Sequence, residues 1–242
     1  ILRRLVGSEM CIRDRLACDH ALNLKQVVKG TLRNHGMKAT FMAKPFASLP
    51  GSGMHLHLSL YDNQGENLLA PKNSKKLNQA VSGILDLMPE SMIFCAPHAN
   101  SYHRFEENSY APINATWGKD NRTTALRIPS GNEDSTRIEH RLSGADANPY
   151  LVMAMLISGF LHGFEEDPEI PPETVGNGYE DGSRPLPQSW ETALDLFQNK
   201  SRLSSILGQE FSTLYTQLKS GEQKRFRRVI TPHEYDWYLH TV

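Results

Sequence analysis

Gly51-Ser52-Gly53-Met54-His55-Leu56-His57-Leu58-Ser59-Leu60 alternates strictly between apolar and polar residues once its two glycines are passed. Successive side chains of a strand point to opposite faces, so Met54, Leu56, Leu58 and Leu60 share one face and His55, His57 and Ser59 the other. The first face reads as core. The second aims three potential ligands into one space, with neighbours about 7 Å apart. Neutral imidazole ligates divalent cations and hydrogen-bonds phosphate. Gly51 and Gly53 let backbone approach a ligand closely. Chance is the plain alternative, because ten histidines make a His-x-His pair unsurprising.

A second alternating run, Arg137-Ile138-Glu139-His140-Arg141-Leu142, puts Arg137, Glu139 and Arg141 on one face. Such a pattern is usually a solvated ladder of ion pairs. Its functional reading is a carboxylate metal ligand between two arginines that hold phosphate oxygens, which the planar guanidinium does bidentately. Arg104, Arg122, Arg127, Arg137 and Arg141 all fall between residues 104 and 141, with only Lys119, Asp120 and Glu133 as other charges of evident pairing use near the strands. So many cations call for an anionic partner such as a metal-bound polyphosphate. No Gly-x-x-x-x-Gly-Lys loop occurs, so the chain is no P-loop protein.

Around these runs the pattern is mixed. Ala17, Ala21, Leu24, Val28 and Leu32 recur at helical spacing, with Gly36 as the stop. A short strand is expected over 39–43, a loop over 45–53, and a helix over 74–88. An irregular loop is expected over 100–112, and strands over 123–128 and 136–142. Asn148 and Pro149 suit a helix start. The segment 165–188, rich in Pro, Gly and acid, reads as a surface loop, and the tail from Ser189 reads as helices. The expected class is α+β, an antiparallel sheet with flanking helices. Glu165-Glu166-Asp167 and 224–228 read as solvated faces, His233, Glu234, Tyr235 and Trp237 as packing residues, and Cys95 as a small core residue.

The 242 residues, 39% hydrophobic and 22% charged with a formal net charge of -1, describe an ordinary globular chain without the basic footprint of a nucleic-acid binder. Three cysteines without metal-type spacing fit a reducing, cytoplasmic setting. The most apolar run, 150–164, is shorter than the roughly 20 residues of a membrane span, and no partner membrane is expected. Residues 1–15, Arg-rich and without period, read as a non-native leader. That leaves 16–242 as one domain.

Taken in order, several segments resemble the glutamine synthetase family. They are Phe41-Met42-Ala43-Lys44-Pro45, the 51–60 run, Asn100-Ser101-Tyr102-His103-Arg104, Trp117-Gly118, Asn121-Arg122-Thr123, Arg127-Ile128-Pro129, 137–141 and Ala147-Asn148-Pro149-Tyr150. The resemblance implies the C-terminal portion of the family's catalytic domain, without its N-terminal β-grasp domain and earlier metal-binding glutamates. The fragment alone is then expected to be inactive. It implies His55 and Glu139 as ligands of Mg²⁺ or Mn²⁺ bridging ATP phosphates. His57, Ser59, Arg127 and Arg137 would be nucleotide contacts, Arg104 with Gly51 the glutamate site, and Arg122 and Arg141 the cations that steady the transferred phosphoryl group. The implied partners are glutamate, ATP and an amine or ammonia, in a homo-oligomeric ring, expected to be a dodecamer, with active sites shared between subunits.

Tyr110 stands where glutamine synthetases proper carry a glutamate that helps form an ammonium site. The run 144–150 also resembles the branch that ligates glutamate to polyamines, and Pro50 replaces a frequent asparagine. The expectation is therefore a γ-glutamylpolyamine synthetase-like ligase acting through γ-glutamyl phosphate. Glu106 or Glu107 as the anion keeps glutamine synthetase proper in play. A catalytically inactive scaffold and a metal-dependent amidohydrolase are the readings of other classes. The second would need further His and Asp ligands and leaves the Arg-x-Glu-x-Arg strand unexplained.

Overall fold

The computed structural model describes residues 8–199 and 202–242, so residues 1–7 of the expected leader lie outside the described residues. Residues 8–15 belong to the first helix, α1 (Ser8–Asn34). Gly36 ends it as expected. With φ of 69° it takes the left-handed turn that lets Gly36 N and Met37 N donate back to Arg33 O and Leu32 O.

Four three-residue strands form the sheet: β1 (Leu56–Leu58), β2 (Trp117–Lys119), β3 (Leu126–Ile128) and β4 (Ile138–His140), in the order β1-β4-β3-β2. The β1–β4 and β4–β3 pairs are antiparallel, but β2 and β3 run parallel. The sheet is thus mixed, correcting the all-antiparallel expectation. Six residues, 120–125, carry the chain back past the start of β2. At about 3.3 Å per extended residue they span three strand residues without a helical crossover.

The strand expected over 39–43 is not formed. Ala43 O accepts from Ser52 N, and Lys44 exchanges backbone bonds with the Asn100 side chain, so no ladder partner is left. The 54–60 run keeps its alternation but forms a ladder only at its centre, since Met54 N donates to Ser143 O beyond the strand. The 123–128 strand shortens because Thr123 and Thr124 bond back to Asn121. Within the expected 100–112 loop, a short helix α3 (Ala99–Tyr102) forms through a capping box between His98 and Ser101.

Helices α2 (Ser74–Cys95) and α4 (Pro149–Glu166) make the main layer against the sheet. Asn148 caps α4 by accepting from Tyr150 N. Helix α2 runs past Met88, the expected end, through Pro89. A proline there removes the N–H that would bond Leu85 O. Arg184 Nη2 takes up that carbonyl at 3.4 Å. The two helices meet backbone to backbone. A Cβ on Gly83 would lie 2.2 Å from Gly159 O, and one on Gly163 would lie 1.9 Å from Gln79 O.

Four more helices follow: α5 (Trp190–Gln198), α6 (Arg202–Leu207), α7 (Gln209–Phe226) and α8 (Pro232–Tyr238). Phe94 of α2, Phe197 and Tyr215 interlock, with ring centroids 5.0 Å and 4.7 Å from Phe94. Cys95 is fully buried, as expected, whereas the packing assigned to Tyr235 and Trp237 is not found. They are 57% and 62% exposed, and α8 buries no residue. The 165–188 segment does lie at the surface, but it is pinned along β2. Trp117 Nε1 donates to Pro171 O, Thr174 N to Trp117 O, and Leu186 N to Ile113 O. No helix among the described residues is long and apolar enough to cross a membrane.

Gly163→Ala should cost about 1–3 kcal/mol or more, because the new methyl meets backbone that cannot rotate away. Urea unfolding of the two proteins measures it, and an unchanged midpoint would contradict the backbone contact.

Candidate active site

Register decides which side chains meet. Glu139 sits in the central strand, with His57 and Arg127 as its cross-strand partners on either side. Residues two apart share its face, and three groups on it converge on one carboxylate. Arg127 Nη1 donates to Glu139 Oε2 at 2.8 Å, and Arg141 Nη1 to Oε1 at 2.6 Å. His55 Nδ1 lies 3.1 Å from the same Oε1. His55 of the first run therefore lies on the same face of the sheet as Glu139 and its two arginines. The opposite face carries Leu58, Leu126, Ile128 and Ile138 into the core.

Charge follows from this arrangement. Burial works against the Glu139 carboxylate, but hydrogen bonds and charge from Arg127 and Arg141 outweigh it and hold the group below the ordinary range. His55 is pushed down to about 4, first by burial and then by Arg141, so its imidazole is neutral at physiological pH. Burial likewise lowers His57. A neutral imidazole beside an ionised carboxylate is a donor pair for a hard or borderline divalent cation. Among the described residues no third His, Cys, Asp or Glu joins them. Arg127 Nε and Arg141 Nε are buried donors without a hydrogen-bond partner, which suits an added anion.

The other expected residues are distributed around this centre. Arg137 Nε donates to His57 Nδ1 at 3.2 Å. Ser59 Oγ donates to Thr136 O at 3.3 Å. Arg104 is buried, and burial lowers it to about 10. Its Nη1 and Nη2 donate to Leu142 O at 2.5 Å and Arg141 O at 2.9 Å. Gly53 and Gly51 make room for it, since a Cβ on Gly53 would come within 3.1 Å of Arg104 Nη2 and one on Gly51 within 2.8 Å of its Cγ. The side chain of Arg122 is exposed beside an open depression lined by Lys119, Asp120, Glu173 and Thr174. Its carbonyl accepts from Arg141 Nη2 at 3.0 Å. Tyr110 is 62% exposed at a φ of 58°. Only its carbonyl, 3.4 Å from Arg141 Nη2, meets the cluster.

Of three further supports, sequence reasoning marked Asp120 for pairing and missed the other two. Asp120 accepts from Arg127 Nη2 at 2.9 Å and from Ser130 N at 2.9 Å, fixing the far side of that guanidinium. Its left-handed φ of 47° gave no advance signal. Lys44, almost buried, pairs with Glu106 at 3.3 Å. His140, on the core side of β4, is fully buried with Nε2 4.0 Å from Cys95 Sγ.

The family model described as "Glutamine synthetase, catalytic domain" matches residues 13–238. The chain belongs to the glutamine synthetase family. It is 45% identical over 226 residues to the gamma-glutamylputrescine synthetase PuuA of Escherichia coli (strain K12), covering 92% of this chain and 48% of that protein. It is 36% identical over 226 residues to the gamma-glutamylethanolamide synthetase GlnA4 of Streptomyces coelicolor, covering 93% and 48%. A solved structure titled "Apo GmaS without ligand" superposes with a TM-score of 0.83 at 28% identity, covering 94% of this chain and 54% of that one. The chain therefore spans about half the length of the curated relatives it matches.

Folding lowers the pKa of His140 to about 3, mainly through burial, so an unfolded chain binds a proton there below about pH 6.5 that the folded chain does not. Stability is then full above pH 6.5 and is lost as pH falls toward the folded value. From pH 7 to pH 5 the loss from this residue is about 2 kcal/mol. Urea midpoints at both pH values should converge in His140→Asn relative to the parent protein. An identical pH response would refute the assignment.

Proposed function

We propose that this chain carries the ATP- and metal-binding part of a ligase that joins the γ-carboxylate of glutamate to an organic amine, as a γ-glutamylpolyamine synthetase-like enzyme. The observation that carries the reading is the buried carboxylate of Glu139, held by Arg127, Arg141 and His55, with two unpartnered guanidinium N–H groups beside it. Names of the similar proteins support the reaction class, since PuuA, GlnA4 and the glutamate–isopropylamine ligase of Pseudomonas sp. all act on glutamate and an amine by name.

His55 and Glu139 would supply two ligands to Mg²⁺ or Mn²⁺, which offsets phosphate charge when bound. Arg127 and Arg137, with His57 and Ser59, line the approach for the triphosphate. Arg104 and the Gly51 loop suit the glutamate, and Arg122 and Arg141 the phosphoryl group in flight. The γ-carboxylate oxygen attacks the terminal phosphorus and ADP leaves. The amine nitrogen then attacks the acyl carbon of γ-glutamyl phosphate. Inorganic phosphate departs with the bridging oxygen, and the nitrogen releases a proton. Phosphorylation turns a poor acyl donor into a good one, and positioned cations lower the barrier.

Of the two acids named for an ammonium site, Glu106 pairs with Lys44 and Glu107 lies exposed to solvent. That leaves Tyr110 and an organic amine as the better match. We place the enzyme in the cytoplasm as a homo-oligomeric ring, a dodecamer. The buried Cys95 thiol, outside any disulfide, supports the first. Exposed apolar side chains such as Ile230 and Trp237 support self-association.

ADP release by the intact enzyme with glutamate should be faster with putrescine or another organic amine than with ammonium. Equal or better use of ammonium overturns the amine choice. Glu139→Ala should lower turnover at least about 100-fold while the thermal melt stays cooperative, and unchanged turnover would remove Glu139 from the site.

A further inference from the structure

The segment between Glu173 and Asp181 takes no part in the proposed chemistry, yet it touches both loops that flank Arg141. On one side, Asn121 Nδ2 donates to Thr174 O at 3.1 Å and Gly176 O at 2.8 Å, and Gly178 N donates to Thr123 Oγ1 at 2.8 Å. These bonds pin it to the turn that carries Arg122. On the other side, the Tyr179 hydroxyl donates to Ala111 O at 3.2 Å, at the foot of the turn that carries Tyr110. Asn114 Nδ2 donates to Gly178 O at 3.0 Å, and a Cβ on Gly178 would lie 2.9 Å from Thr123 O, so the backbone before Tyr179 is seated closely.

The turn it reaches needs holding. Asn108 and Tyr110 are non-glycine residues with φ of 62° and 58°. Each such conformation costs of order 1 kcal/mol or more and persists only when its surroundings enforce it. Ser109 Oγ bridges to Arg104 O and Glu106 O, and Arg141 Nη2 reaches Tyr110 O. Of those partners, Arg104 and Arg141 belong to the proposed substrate machinery. Tyr179 is the fastening that comes from outside it.

We propose that Tyr179 is a positioning residue for the nitrogen nucleophile: its hydroxyl, held by the 173–181 strap, sets the 108–111 turn so that Tyr110 is presented beside Arg141. The proposal rests on the reading that this turn forms the amine side of the site. Tyr179 touches no reacting atom and acts through the turn.

Tyr179→Phe removes one oxygen and leaves the ring. In the intact enzyme, the KM for the amine should rise roughly 5- to 20-fold, as loss of one enforced hydrogen bond implies. The KM values for ATP and glutamate should stay within about twofold and the melting midpoint should be kept. Gly178→Ala, which displaces the strap but retains the hydroxyl, should shift the amine KM in the same direction. An unchanged amine KM, or a parallel rise for all three substrates with a lower melting midpoint, overturns the proposal. Amide hydrogen exchange supplies a reading independent of activity. Residues 108–111 should exchange faster in Tyr179→Phe than in the parent, and equal protection also overturns it. A parent enzyme that uses only ammonium would instead refute the amine choice. The nucleophile whose KM responds to Tyr179→Phe would then be ammonium.

Discussion

Everything at the site turns on a carboxylate buried in the middle of a sheet. Glu139 is 3% exposed, and an ionised group so placed survives only with charged partners and good geometry. Arg127 across the ladder, Arg141 two residues on and His55 on the diagonal supply them. The same contacts fix the register of β1, β4 and β3, because a one-residue slip would turn Glu139 into the core and His140 out of it. Fold and chemistry thus depend on one alignment.

That alignment was legible in the sequence to an unusual degree. Two alternating runs, 51–60 and 137–142, announce which side chains share a face, and period-two patterning survives even where the ladder is short. The arginine cluster announced an anion. What could not be read was which arginine pairs with which acid. That depends on register between segments some 80 residues apart, as with His57 and Arg137. The parallel β2–β3 pair was also hidden, since three-residue strands carry no directional signal. Tyr179 and the Lys44–Glu106 pair were invisible for a different reason. Each sits in a stretch with no period, and each acquires meaning only from a contact tens of residues away.

The helical layer explains how so small a sheet is kept in place. Gly83, Gly159 and Gly163 let α2 and α4 touch along their backbones, giving a support with few side-chain degrees of freedom. Pro89 sits in α2 without ending it because Arg184, from the long surface segment, attends the carbonyl the proline abandons. The surface segment therefore serves the core and the site at once, although its composition reads as an ordinary loop.

Pinning that segment along β2 also gives the sheet a polarity of growth. One margin is partly taken up, since Thr174 N donates to Trp117 O and the Glu173 carboxylate accepts from Lys119 N. The other margin is β1, the strand that bears His57. A strand added at that edge would run beside the histidines themselves.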